Sequence, residues 1–144
     1  MPILLWLSLL IPALLLVSCG EKKQGRVIVS EEQFVLRQDS HHSWVMDAEG
    51  KVKNVGDVDV KNIVVSGYCR SCDEVMESGN WFVTEYEKTR DQKDTINYLE
   101  AGEEKEFSFR GVAFLVDKSG TLGRPKQFPE EMEVDVISFE TVSD

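Results

Sequence analysis

The apolar positions of this chain fall into two regimes. Residues 1–18 carry no charged side chain, and 3–18 read ILLWLSLLIPALLLVS. A bilayer span needs about 20 apolar residues. This run is shorter, carries Pro12 in its middle, and has the length of the apolar core of a secretory signal. Beyond residue 25 the pattern turns to a period of two. Over 44–54, Trp44, Met46, Ala48, Gly50 and Val52 share one parity, while Asp47, Glu49, Lys51 and Lys53 take the other. That alternation predicts a half-buried antiparallel strand.

Asn54-Val55-Gly56-Asp57 reads as a turn. Residues 58–68 then predict a second strand, with Ile63 and Val65 inward and Asp59 and Lys61 outward. A third row runs through Lys105, Phe107, Phe109, Gly111, Ala113 and Leu115. In the last strand, 132–141, Val134 and Val136 give way to Ile137 and Phe139, a parity switch that predicts a bulge or burial on both faces. Residues 26–29 and 33–37 supply one or two strands at the start, and 81–86 a further one. Only 85–98 carries a trace of helical period. Six to seven short strands with turns between them predict an all-β antiparallel sandwich. The expected organisation is a signal peptide over 1–18, Cys19 with a polar tether over 19–25, and the sandwich domain over 26–144.

Leu16-Val17-Ser18-Cys19 resembles the bacterial lipobox. The resemblance implies cleavage before Cys19, a diacylglycerol on its sulfur, and fatty acylation, palmitate included, of the new amine. Each buried methylene contributes roughly 0.8 kcal/mol, so two or more chains anchor stably where one does not. The leader departs from the lipoprotein pattern in having no Lys or Arg before its apolar core. Gly20 rather than Asp follows Cys19, which under the same resemblance directs the protein to the outer membrane, facing the periplasm, rather than to the inner membrane.

Three cysteines leave an odd thiol in an exported protein. Lipidation of Cys19 removes the oddity and leaves Cys69 and Cys72 as a pair, within Gly67-Tyr68-Cys69-Arg70-Ser71-Cys72-Asp73. Residues three apart on an extended strand are about 10 Å apart, beyond the reach of a disulfide, so a bond requires a turn. Cys69 should end a strand and Cys72 sit on the turn. The alternatives are a redox-active pair and a metal site. No helical period follows the motif to depress a thiol pKa. Haem attachment would need His where Asp73 stands. Zinc would need further ligands, for which His41 and His42 are the candidates, and adjacent residues on a strand face opposite ways.

Gly50-Lys51-Val52-Lys53-Asn54-Val55-Gly56, then Val60-Lys61-Asn62-Ile63-Val64-Val65, then Leu99-Glu100-Ala101-Gly102-Glu103 with Phe107, resemble the FxLYD-type domain. The resemblance covers roughly residues 43–115. It implies a small immunoglobulin-like sandwich of the kind found in bacterial lipoproteins, with no active site to transfer. Where that family has its name-giving strand end, this chain carries the Cys69/Cys72 segment.

Charge narrows the partners. The chain has 16 Lys and Arg against 26 Asp and Glu, a net charge of −10. Nucleic acid needs a basic patch, and an anionic membrane surface repels an acidic domain, so any membrane attachment falls to the lipid. The stretch Asp39-Ser40-His41-His42-Ser43 is no catalytic triad, whose members converge from separate elements. The acidic pairs Glu31-Glu32, Glu103-Glu104 and Glu130-Glu131 sit at strand ends and turns, where charges stay solvated. No constellation for catalysis stands out and no cofactor is implied. Two segments read as contact surfaces: 117–131, a long connection with Arg124, Lys126 and Phe128, and 87–97, rich in both charge signs. The expected function is a non-catalytic, lipid-anchored envelope domain that binds a protein partner. The alternative is a metal- or redox-handling lipoprotein using Cys69 and Cys72.

Overall fold

A computed structural model describes residues 22–84 and 87–143. The leader, Cys19 and Gly20 lie outside the described residues, as do Glu85 and Tyr86. Seven strands form two antiparallel sheets: β1 (Val27–Ser40), β2 (Ser43–Asn54), β3 (Val60–Cys69), β4 (Trp81–Phe82), β5 (Lys93–Leu99), β6 (Glu104–Val116) and β7 (Met132–Thr141). One sheet has the order β1-β2-β6-β4 and the other β5-β3-β7. The all-β sandwich expected from the alternation is what forms. Its core lies between the sheets, with Val52, Val60, Ile63, Val65 and Leu99 fully buried and Phe107, Phe109 and Val134 nearly so.

The third row of alternation is inward from Phe107 to Leu115, with Lys105 exposed at the strand's entrance, and a bulge adds Val112 to it. Met46 pairs with Ala113 but Ala48 with Phe109, so three residues of β6 oppose Asp47 alone. A shift of two keeps Phe107, Phe109, Ala113 and Leu115 buried and lets Val112 join the core as well. A methyl group on Gly67 would lie 2.5 Å from a Val112 γ-carbon, so glycine there makes room for it. The bulge turns at Gly111, whose φ of +79° suits glycine. Both its backbone groups find side chains: its N–H donates to Asp47 Oδ1 at 3.1 Å, and its carbonyl accepts from Gln92 Nε2 at 3.0 Å. Gln92, buried in the 3-10 turn Arg90–Gln92, also accepts at its carbonyl from Ser66 Oγ at 2.6 Å, linking the two sheets.

Of the one or two strands expected at the start of the domain, one forms: a bulge between Val29 and Glu31 absorbs the polar interruption. Two expectations are corrected. The strand expected over 81–86 is reduced, among the described residues, to Trp81–Phe82. The 87–97 segment, expected to be an exposed charged surface, contributes most of β5, with Ile96 and Leu99 buried against β3 and β6. The parity switch in β7 is a bulge: Val136 pairs with Val65 and Ser138 with Val64, leaving Ile137 unpaired. It does not bury both faces, since Ile137 and Phe139 remain exposed.

The open seams of the sandwich are guarded by carboxylates. Glu32 of β1 accepts from the Val134 N–H of β7 at 2.8 Å, and Asp94 of β5 accepts from the Ser108 N–H of β6 at 2.9 Å. Each satisfies an edge amide that another chain could otherwise pair with.

Candidate functional site at the distal end

The strand directions divide the loops between two ends. At the end where the chain enters lie the 54–58 turn, the 100–103 turn and the C-terminal end of β7. Asn54 is the hub there. Fully buried, it donates from Nδ2 to the carbonyls of Val58 (2.8 Å) and Leu99 (3.1 Å) and accepts at Oδ1 from Gly56 N–H (3.0 Å). The entering chain docks beside it: Val55 N–H donates to the Arg26 carbonyl at 2.7 Å, and Asp57 N–H to that of Gln24 at 3.1 Å. A methyl group on Gly56 would lie 2.4 Å from the Gln24 carbonyl oxygen. The tether is therefore bound to the domain from Gln24 onward.

Opposite this end, which we call distal, stand the 70–73 bend, the 117–131 segment and the β1–β2 turn. Cys69 ends β3 and Cys72 sits on the bend, as expected, with sulfurs 1.95 Å and Cα atoms 5.5 Å apart, a disulfide. The short bend between them holds both neighbours. Arg70 N–H donates to the Glu131 carbonyl (2.8 Å), and Glu131 N–H to Ser71 Oγ (3.1 Å). Asp73 N–H donates to the Trp81 carbonyl, and Asp73 accepts in turn from Val83 N–H, both at 2.9 Å. Arg70 also forms ion pairs with Glu133 and Asp135 on β7.

Between these segments opens a groove of about 690 Å³. Trp81, Leu122 and Phe128 supply its apolar surface, Arg124 and Lys126 its positive charge, and Asp73 part of its negative charge. Trp81 is fixed by donation from Nε1 to the Gln127 carbonyl at 2.9 Å. Val75, Met76, Leu122 and Phe128, four large apolar side chains exposed by 43% to 67%, all belong to this end. The three residues expected to contact a partner, Arg124, Lys126 and Phe128, thus share one groove with the disulfide bend. Sequence reading did not join the two, because nothing in the spacing places 70–73 beside 124–131.

The 117–131 segment is pinned at its start by buried Asp117. Its carboxylate accepts from Leu122 N–H (2.8 Å), Ser119 Oγ (2.6 Å) and Ser119 N–H (3.1 Å). These bonds, the Leu122 amide foremost and the Ser119 hydroxyl next, hold it below the ordinary carboxylate range. At the entry end Asp59 is lowered likewise, by the Tyr98 hydroxyl at 2.5 Å and then the Ala101 N–H at 2.9 Å, and the same contact raises the Tyr98 phenol.

His41 and His42 occupy the β1–β2 turn with ring centroids 4.6 Å apart. They face the 117–131 segment rather than the sulfurs, which are bonded to each other. Among the described residues no three His, Cys, Asp or Glu side chains group as a metal site would require. Several of the paired carboxylates serve the fold: Glu32 caps β7, Glu104 accepts from Ser30 Oγ, and Glu103 accepts from Glu100 N–H. No family model, curated protein or solved structure matches this chain.

Proposed function

We propose that the chain is a lipid-anchored lipoprotein of the cell envelope, held through Cys19, whose non-catalytic sandwich presents its distal end to a protein partner. The observation that carries this reading is the polarity of the domain: the chain docks at one end and the groove opens at the other. Five residue steps separate Cys19 from the docked Gln24, at most about 18 Å of chain. The 12 residues of β2 carry the distal end about 40 Å further out. With a net charge of −10 the domain is not drawn onto anionic headgroups, which favours an upright stance. Apolar side chains around a fixed aromatic, with charges at the rim, are the composition of a protein-contact surface.

The resemblance to FxLYD-type domains of bacterial lipoproteins points the same way. Its characteristic Asn54 and Gly56 have physical tasks here, closing the corner and admitting the tether. Gly20 after Cys19 favours the outer membrane, facing the periplasm. The redox alternative needs a stabilised thiolate; Cys69 is buried, Cys72 half-buried, and no helix N-terminus directly follows the pair among the described residues, which favours a structural bridge.

The test is the mass of the mature N-terminal peptide from the native host. Loss of residues 1–18 with a diacylglyceryl thioether on Cys19, blocked by globomycin, is the expected result. An intact leader and a free thiol at Cys19 would refute the anchor. Thiol titration of the denatured protein without reductant should find neither Cys69 nor Cys72 free, whereas stoichiometric metal in the reduced domain would favour the alternative.

A further inference from the structure

Beside the groove lies a second hollow of about 320 Å³, lined by Gln38, His41, His42 and Trp44 from the first two strands and their turn, and by Asp117 and Arg124 from the 117–131 segment. We infer that it is a binding site for a small oxyanion, a phosphate or a carboxylate, held by Arg124 and the two imidazoles.

Arg124 decides between cation and anion. Two neighbouring histidines alone would invite a metal ion, which takes neutral imidazole. A guanidinium in the same hollow is never neutral and repels such a cation, while its planar fork of N–H donors matches an oxyanion. Arg124 forms no ion pair among the described residues. The one lining carboxylate, Asp117, is turned to its own loop, with Oδ2 taking Leu122 N–H and Oδ1 taking the Ser119 hydroxyl and N–H. His42 is held in place by contact with Gly120, where a methyl group would lie 2.6 Å from its Cε1. Space is adequate: a water occupies about 30 Å³ in the liquid.

The charge count makes binding proton-linked. Arg124 and Asp117 are the charged groups facing the imidazoles, and they cancel. With both imidazoles neutral the lining is therefore uncharged, and with both protonated it carries two positive charges. Each proton taken up by an imidazole adds a positive charge to the lining, so affinity should rise as pH falls. By linkage, the bound oxyanion should raise the pH at which the histidines deprotonate. Arg124 also lines the groove, so a ligand could place its anionic group in the hollow and its apolar part over Trp81.

The test follows the ring proton resonances of His41 and His42 while inorganic phosphate, and separately acetate, replaces chloride at constant ionic strength. At pH 6.0 a saturable shift is expected with at least one anion, and at least tenfold weaker binding at pH 8.0. Arg124→Gln should weaken it tenfold or more, while Arg110→Gln, outside the hollow, should leave it unchanged. Tighter phosphate binding would assign a phosphoryl ligand, and tighter acetate binding a carboxylate. His41→Gln provides a second variant, and an unchanged near-ultraviolet spectrum checks that each folds. The inference is overturned by linear, non-saturating shifts with both anions, by saturation indifferent to Arg124→Gln in a folded protein, or by stoichiometric zinc on the histidines.

Discussion

At the end where the chain enters, three short segments interlock through backbone hydrogen bonds around one buried amide, Asn54. At the distal end, long irregular segments are held by side chains and one covalent bond, with large apolar groups left in solvent. The first arrangement leaves little to rearrange and suits a fixed attachment. The second leaves a groove open between its segments and carries the candidate sites. Loops positioned by a rigid scaffold commonly bear function in this way.

The largest effect that would test this contrast is expected from Asn54→Ala. It strands the carbonyls of Val58 and Leu99 and the Gly56 N–H, and should cost about 3 kcal/mol of global stability in denaturant titration. A loss under 1 kcal/mol would deny Asn54 its role as hub. Replacing both Cys69 and Cys72 by Ser should cost about 2 kcal/mol, the loop-closure value for so short a ring. Hydrogen exchange in that variant should quicken over 70–73, 79–83 and 124–131 and stay unchanged over 54–58 and 99–103. Uniform quickening would mean that the ends are not independent.

Acid and base separate the ends further. Asp117 and Asp59 both titrate below the ordinary carboxylate value of about 3.9. Their contributions are complete above that pH and are lost as pH falls through the lowered folded values. Tyr98 is raised, so its contribution is complete below about pH 10 and is lost as pH rises through the higher folded value. Acid should therefore loosen both ends, and only alkali above about pH 10 should loosen the entry end alone. Tyr98→Phe should abolish the alkaline response, and its persistence would contradict the assignment. The smallest stability effect belongs to Leu122→Ser: at 53% exposure it should change stability by less than about 0.5 kcal/mol.

How far the fold was legible follows from how each strand is buried. β2, β6 and β7 carry one solvated or edge-facing side, so alternation exposes them, and even the β6 bulge preserved parity by shifting two residues. β5 escaped notice because its buried Ile96 and Leu99 are three apart and sit among Asp94, Thr95 and Asn97, a spacing that mimics a helix. The same three-residue spacing of Val60 and Ile63 has a visible cause in β3: Asn62 takes a φ of 51°, which asparagine tolerates, and resets the alternation. Glu31 and Glu32 read as a strand end or turn, whereas both are paired within β1 just after the bulge at Ser30, and Glu32 guards the opposite sheet. Of the candidate site, the turn at Cys72 was legible from composition, and Arg124, Lys126 and Phe128 stood out there as expected contact residues that line one groove. Their meeting in one groove depends on the return of the chain into β7 beside β3, a long-range pairing that no local pattern encodes.

The claim that one end holds and the other recognises is tested most directly by a photo-crosslinking side chain placed at Leu122 and, separately, at Val55, in the full-length protein in intact host cells. Both positions are exposed, at 53% and 41%. The account predicts a discrete protein adduct from Leu122, absent from Val55. An adduct from Val55 with none from Leu122 would contradict it.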